Sequence, residues 1–167
     1  MKYFNLPSVY NTLKPYLKNI PLQLSGRLSV KYGANVYLKR EDLQPTRSFK
    51  IRGSLFKILT EYQNNPEIHV VCASAGNHAQ GVAFACNLLD IKGNIFVPET
   101  IPLQKKNRIQ YYGNKNIKLI VEGNNFNEAL EAGNNFSNKN DYTFIHPYDD
   151  LDIIQGQATI GYEIRKE

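Results

Sequence analysis

From residue 48 onward the chain alternates short apolar, β-branched runs with helix-length amphipathic stretches, and that alternation leaves little choice of architecture. HVVCAS, GNIFVPE, IKLIVEG and YTFIHP read as strands. Between them NHAQGVAFACNLLD, LQKKNRIQYYG and a stretch around Phe126 to Phe136 read as helices. Strands joined through a helix run parallel, because the connection carries the chain back to the starting edge of the sheet. The predicted class is therefore α/β, a three-layer arrangement around a mostly parallel sheet.

Ahead of this region, LPSVYNTLKPYLKN reads as one short helix that leads into PLQLSGRLSVKYG. NVYLKRE reads as a strand with Val36 and Leu38 on one face and Tyr37 and Lys39 on the other. A helix is predicted from about Ser48 to Tyr62, because Ile51, Leu55, Ile58, Leu59 and Tyr62 recur at helical spacing. The last predicted helix, DIIQGQATIGYEIRK, carries Ile153, Ile154, Ile160 and Ile164 and stops without a glycine cap, as a piece of a longer chain would.

Composition narrows the function classes. At 167 residues with 42% hydrophobic content, one ordinary domain is the expectation. No run of about eighteen apolar residues occurs, and MKYFNLPSVY has neither a basic leader nor an apolar stretch, so a cytoplasmic protein without a membrane partner is expected. Cys72 and Cys86 sit in apolar surroundings that favour buried thiols, and His69, His78 and His146 are too scattered for a metal site. Twenty Lys and Arg against fifteen Asp and Glu give +5. The basic residues are dispersed among acids, which suits a small anionic ligand and argues against nucleic acid.

Two motifs carry chemistry. In SFKIRG, Lys50 stands at the mouth of a helix, where the helix N-terminus and the nearby Arg52 both disfavour a cation. A neutral amine is what a lysine needs to form an imine with an aldehyde, since its ordinary pKa of about 10.4 keeps it protonated. Ser48 is placed to cap that helix, and Phe49 reads either as core or as an apolar wall behind a flat ring. In SAGNHAQG, Asn77 reads as an N-cap with Gln80 at capping-box spacing and Gly76 in a tight strand-to-helix turn. The same helix start, lined by small Ser74, Ala75 and Gly76, is also a ready carboxylate or phosphate site.

YLKREDLQPTRSFKIRGSLFKI (37 to 58), CASAGNHAQGVAFAC (72 to 86) and HPYDDLDIIQGQATIGYEI (146 to 164) closely resemble threonine dehydratase, a pyridoxal phosphate enzyme of the tryptophan-synthase-β type, or fold type II. The resemblance runs over essentially the whole chain. It implies a lyase that eliminates the β-hydroxyl of L-threonine, and of L-serine, as water, after which the enamine product takes up water and hydrolyses to 2-oxobutyrate, or pyruvate, and ammonia. Lys50 is similar to the lysine that holds pyridoxal 5'-phosphate and takes the α-proton, Phe49 to the residue packed on the ring, and Asn77 to the asparagine bonded to the cofactor's 3-hydroxyl oxygen. Ser74, Ala75, Gly76, Asn77 and His78 resemble the loop that receives the substrate carboxylate.

Ala75 stands where related serine racemases carry a serine that acts as a second base, which argues for elimination over racemisation. Pro45, Thr46 and Arg47 are nearer the degradative form of the enzyme, while the LQP part looks biosynthetic, and the reading leans to the isoleucine-biosynthesis branch. In the resembled fold, residues 1 to 53 begin a larger domain, 54 to 150 form a smaller one, and 151 to 167 start the return to the larger. The family's glycine-rich phosphate loop has no counterpart in this sequence, so this chain alone is expected to be a poor catalyst. NVYLKRE is expected to lack strand partners, and the complete enzyme to be a homo-oligomer, a dimer or tetramer. The other readings are a noncatalytic α/β fragment, a related β-elimination enzyme or a serine racemase.

Overall fold

The computed structural model describes residues 4–167. In chain order they form α1 (Leu6–Leu13), β1 (Leu22–Leu24), α2 (Gly26–Tyr32), β2 (Tyr37–Lys39), α3 (Lys50–Asn64), β3 (His69–Ala73) and α4 (Asn77–Leu89). There follow β4 (Lys92–Val97), α5 (Leu103–Gly113), β5 (Ile117–Val121), α6 (Phe126–Asn140), β6 (Thr143–Phe144) and α7 (Leu151–Lys166).

The four strands read from the alternating region make one wholly parallel sheet in the order β5-β4-β3-β6. Because successive side chains leave a strand on opposite faces, the sheet builds two cores. On one face Val70, Cys72, Ile95, Val97 and Ile117 pack with Leu55 and Ile58 of α3, Val82 and Cys86 of α4 and Ile109 of α5. On the other, Val71, Ala73 and Phe96 meet Leu130 and Phe136 of α6 and Phe144. The result is the three-layer α/β fold. Both thiols are free and fully buried, and burial pushes Cys86 up to about 12.

The order of the strands matters more than their number. From β3 the chain steps outward to β4 and β5, then returns to place β6 on the opposite side of β3. This reversal opens a crevice outside the carboxyl ends of β3 and β6, the usual place for ligands in open parallel sheets. The residues emerging there are Ser74 to Asn77 after β3 and Ile145 to Pro147 after β6.

The N-terminal segment departs from the sequence reading. PLQLSGRLSVKYG holds a strand and a helix of its own, β1 and α2, with Ser25 as N-cap and Gly33 (φ 61°) at the end. Neither was legible, because β1 is three residues long and α2 buries none of its side chains. The expectation that NVYLKRE lacks partners is corrected: β2 pairs antiparallel with β1, Leu22 opposite Lys39. Helix α6 also outruns its predicted end at Phe136, because the buried Ser137 donates to Tyr142 O at 2.6 Å and ties the last turn down.

Helix α7 crosses α3 almost backbone to backbone: a Cβ on Gly156 would stand 2.6 Å from Gly53 Cα and 2.7 Å from Arg52 O. Beside the crossing lies Arg52, which is fully buried. Its Nη1 reaches Glu163 Oε1 at 2.7 Å and Thr159 Oγ1 at 3.0 Å, and its Nη2 reaches Glu163 Oε2 at 2.9 Å and Glu41 Oε1 at 2.7 Å. With Nε on Glu41 Oε2 at 2.9 Å, all five guanidinium protons are engaged. Lys39 adds a further ion pair to Glu163 at 3.0 Å.

Candidate active site at the switch point

Lys50 is the first residue of α3, and the expectation that Ser48 caps this helix is corrected: Phe49 is the N-cap without a side-chain cap bond, and Ser48 Oγ, one residue further out, accepts the Lys50 N–H at 3.2 Å. Its side chain is half-buried, and Nζ donates to Pro147 O at 2.8 Å while lying 5.5 Å from the centroid of the exposed Phe49 ring. Burial holds the amine below the ordinary lysine range. The expected repulsion from Arg52 is corrected, because that guanidinium turns away and is neutralised by Glu41 and Glu163.

The SAGNHAQG turn is built one residue earlier than the capping rules suggest. Gly76 is the N-cap of α4 and Asn77 its first helical residue, so neither the Asn77 cap nor the capping box with Gln80 forms. Ser74 Oγ instead accepts the Gly76 N–H at 3.2 Å and tightens the turn. No side chain caps α4, which leaves first-turn N–H groups for an outside acceptor. The φ of Gly76 is −133°, so glycine is not needed there for left-handed backbone. Its use is openness: a Cβ at this position would meet only Ser74 Oγ, at 4.0 Å.

Asn77 is exposed at this opening, and Ala75 packs its methyl on the core. His78 turns inward instead, 3% exposed, with Nε2 2.9 Å from Ile145 O. A carbonyl only accepts, so the proton sits on Nε2, while Nδ1 has no protein partner. Burial lowers the imidazole to about 4. The side chain is therefore neutral near pH 7 and works as a donor into the fold, and what His78 offers to the mouth of the helix is its backbone N–H.

The two motifs meet because α3 and α4 pack closely at Gly81, where a Cβ would come within 3.3 Å of Lys50 O. Sequence reasoning missed the third component, the stretch Ile145 to Pro147, because its contribution is made by main-chain carbonyls that any residue possesses. It also missed Gln104, Lys105 and Arg108, which with Gly76, Asn77 and Gln80 line a polar groove of about 370 Å³ beside the loop. Their common helix face in LQKKNRIQYYG was the available signal. Among the described residues no group of three or more His, Cys, Asp or Glu could hold a metal ion, and no helix is long and apolar enough to cross a membrane.

An amine with a depressed pKa beside an aromatic ring, across from an open helix start, fits an aldehyde cofactor with an anionic ligand. The family model for pyridoxal-phosphate dependent enzymes matches residues 13–167. The chain belongs to the pyridoxal-phosphate dependent enzymes. Within that family it is 44% identical over 156 residues to the biosynthetic L-threonine dehydratase of Halalkalibacterium halodurans, a match covering 93% of this chain and 38% of that protein. The processed threonine deaminase isoform 2 of Solanum lycopersicum superposes with a TM-score of 0.88 at 35% identity, covering 96% of this chain and 44% of the other. A pyridoxal 5'-phosphate-dependent aspartate racemase matches equally well in shape, with a TM-score of 0.88 at 29% identity over 99% of this chain and 53% of its own. The chain thus spans less than two fifths of the length of the first dehydratase, and the shared fold serves both deaminases and racemases.

Proposed function

We propose that this chain supplies the lysine side of a pyridoxal phosphate site for β-elimination and deamination of L-threonine, and of L-serine, to 2-oxobutyrate or pyruvate and ammonia. The observation that carries the reading is the Lys50 amine, held half-buried at the sheet's switch point, beside Phe49 and across from the uncapped start of α4. Lys50 is the residue that would hold the cofactor covalently, with Phe49 against its ring and Asn77 on its 3-hydroxyl oxygen. Bound there, the cofactor supplies an electron sink that acidifies the α-hydrogen of an amino acid.

The protein's part is positioning and proton transfer. The backbone N–H groups at the start of α4, with Ser74, Ala75, Gly76, Asn77 and His78 around them, receive the substrate carboxylate. Lys50, once free, takes the α-proton, and burial, which lowers its pKa, favours the neutral form that this requires. Ala75 offers no second base on the opposite side, and this favours elimination over the racemisation that the same fold also supports. Residues up to 53 and from 151 are assigned to one lobe and 54 to 150 to the other. The exposed Val30 and Tyr32 belong with assembly into a dimer or tetramer in the same proposal.

Incubation with pyridoxal phosphate followed by borohydride tests the site. Peptide mapping is expected to find the fixed cofactor on Lys50, and Lys50→Ala to abolish both fixation and threonine-dependent 2-oxobutyrate formation by the complete enzyme. Fixation on a different lysine in the unaltered protein would overturn the assignment.

A further inference from the structure

The buried imidazole of His78 has no task in the chemistry above, yet it sits one element away from the reacting amine. Its Nε2–H holds Ile145 O at 2.9 Å, and two residues on, Pro147 O holds the Lys50 amine at 2.8 Å. The side chains of Ile145 and Pro147 are buried, Ile145 in the core, but few other hydrogen bonds hold the main chain between them. Strand β6 is two residues long and pairs with β3 only through Thr143 and Phe144, after which Ile145 N donates once to Val71 O at 2.7 Å. Beyond Pro147 the chain is closed into a turn by His146 Nδ1, which accepts from Asp149 N at 2.7 Å and Tyr148 N at 3.3 Å.

We propose that His78 is a positioning residue for Lys50, acting through the main chain of Ile145 to Pro147 rather than by contact. The proposal rests on the reading of Lys50 as the cofactor lysine. Proline at 147 stiffens the link, since its ring fixes φ and leaves a carbonyl with no N–H of its own to compete. Among the described residues the histidine is the one α4 side chain that donates to this segment, so it ties the start of the anion-receiving helix to the dock of the amine. An apolar side chain of similar size would fill the space without fixing the Ile145 carbonyl. The ionisable groups near the pair are His146 and the two residues themselves, with Arg52 on the same helix neutralised by Glu41 and Glu163.

The readout is the titration of Lys50, which needs neither cofactor nor turnover. Competitive acetylation of the 167-residue chain across pH 7 to 11, followed by mass measurement of the Lys50 peptide, gives its midpoint. His78→Gln keeps an N–H donor at nearly the same reach, whereas His78→Leu removes it. Burial lowers the amine, so a released and hydrated amine must titrate higher. The expected result is that His78→Gln matches the unaltered protein while His78→Leu raises the Lys50 midpoint toward the ordinary lysine value, with a corresponding loss of acetylation near pH 8.

An unchanged midpoint in His78→Leu, even with a lower melting temperature, would reduce His78 to a structural residue and overturn the proposal. An equal shift in His78→Gln would overturn it as well, because the donor would then not be the cause. Should His78→Leu fail to fold, His78→Asn, whose amide falls short of Ile145 O, takes its place with the same two outcomes. Cofactor fixation on another lysine would sink the functional reading but leave the midpoint comparison intact, so the two failures are separable.

Discussion

Ile95 at the centre of the sheet and Arg52 at the α3–α7 crossing are both fully buried, yet their surroundings have nothing in common. Ile95 sits between Cys72 and Leu119 of the neighbouring strands, in an apolar core that needs only shape and volume. Arg52 sits between two carboxylates and a threonine hydroxyl, where removing any partner leaves a buried guanidinium proton unsatisfied. The first region holds together by area removed from water, and the second by the mutual satisfaction of charges that would otherwise be costly to bury. The lesson is that the helix bearing Lys50 is anchored on one flank by packing on the sheet and on the other by a five-bond ionic node.

Arg52→Ala is the strongest way to break the second region, with an expected loss of about 4 kcal/mol in urea unfolding, because Glu41 loses its guanidinium partner and Glu163 keeps only Lys39. Acid sharpens the test. The Arg52 guanidinium, foremost among its hydrogen-bond partners, holds Glu163 below its ordinary value against the effect of burial. A carboxyl with a depressed folded pKa contributes fully above about 4.5, and that contribution is lost as pH falls through the folded value. The Arg52→Ala deficit is therefore expected to shrink as pH drops below about 4. A deficit that stayed constant from pH 7 to pH 3 would contradict the ionic account.

Ile95→Ala comes next, at about 3 kcal/mol from lost burial and the cavity left behind. Its deficit is expected to show no such pH dependence, since no titrating group faces the site through an ion pair. The smallest effect is at the outer layer, where Asn125 Oδ1 accepts the Glu128 N–H at 3.1 Å and caps α6. Asn125→Ala is expected to cost about 1 kcal/mol, read as a shift in the urea midpoint. A larger loss there would mean that α6 carries more of the second core than Val71, Ala73 and Phe96 suggest.

Much of this was legible in advance where the signal was periodic. The runs HVVCAS and GNIFVPE and the stripe Ile51, Leu55, Ile58, Leu59 are long enough to show their period, and each is found in the element expected of it. The segment around β1 and α2 was not legible, since a three-residue strand has no measurable alternation and a helix without a buried face has no stripe. At the site, Lys50 and the 74 to 78 loop stood out by residue type. The Asn77 cap failed because Ser74 competes for the turn one residue earlier, a local choice between two good acceptors that residue preference alone does not rank.

The alternation of short strands and helices by itself determined a parallel, three-layer sheet, because connection through a helix permits little else. It also determined the chemistry on offer, a lysine at a helix mouth and a small-residue turn before another helix. Only the tertiary structure decided that β6 lies beside β3, which brings Pro147 O, ninety-seven residues away, to the Lys50 amine. It alone turned Arg52 from a neighbour of Lys50 into the centre of a node with Glu41 and Glu163, eleven and one hundred and eleven residues distant. Sequence patterns report what each segment must bury, whereas the partner of a buried polar group is fixed only when distant segments have packed and each donor has found an acceptor.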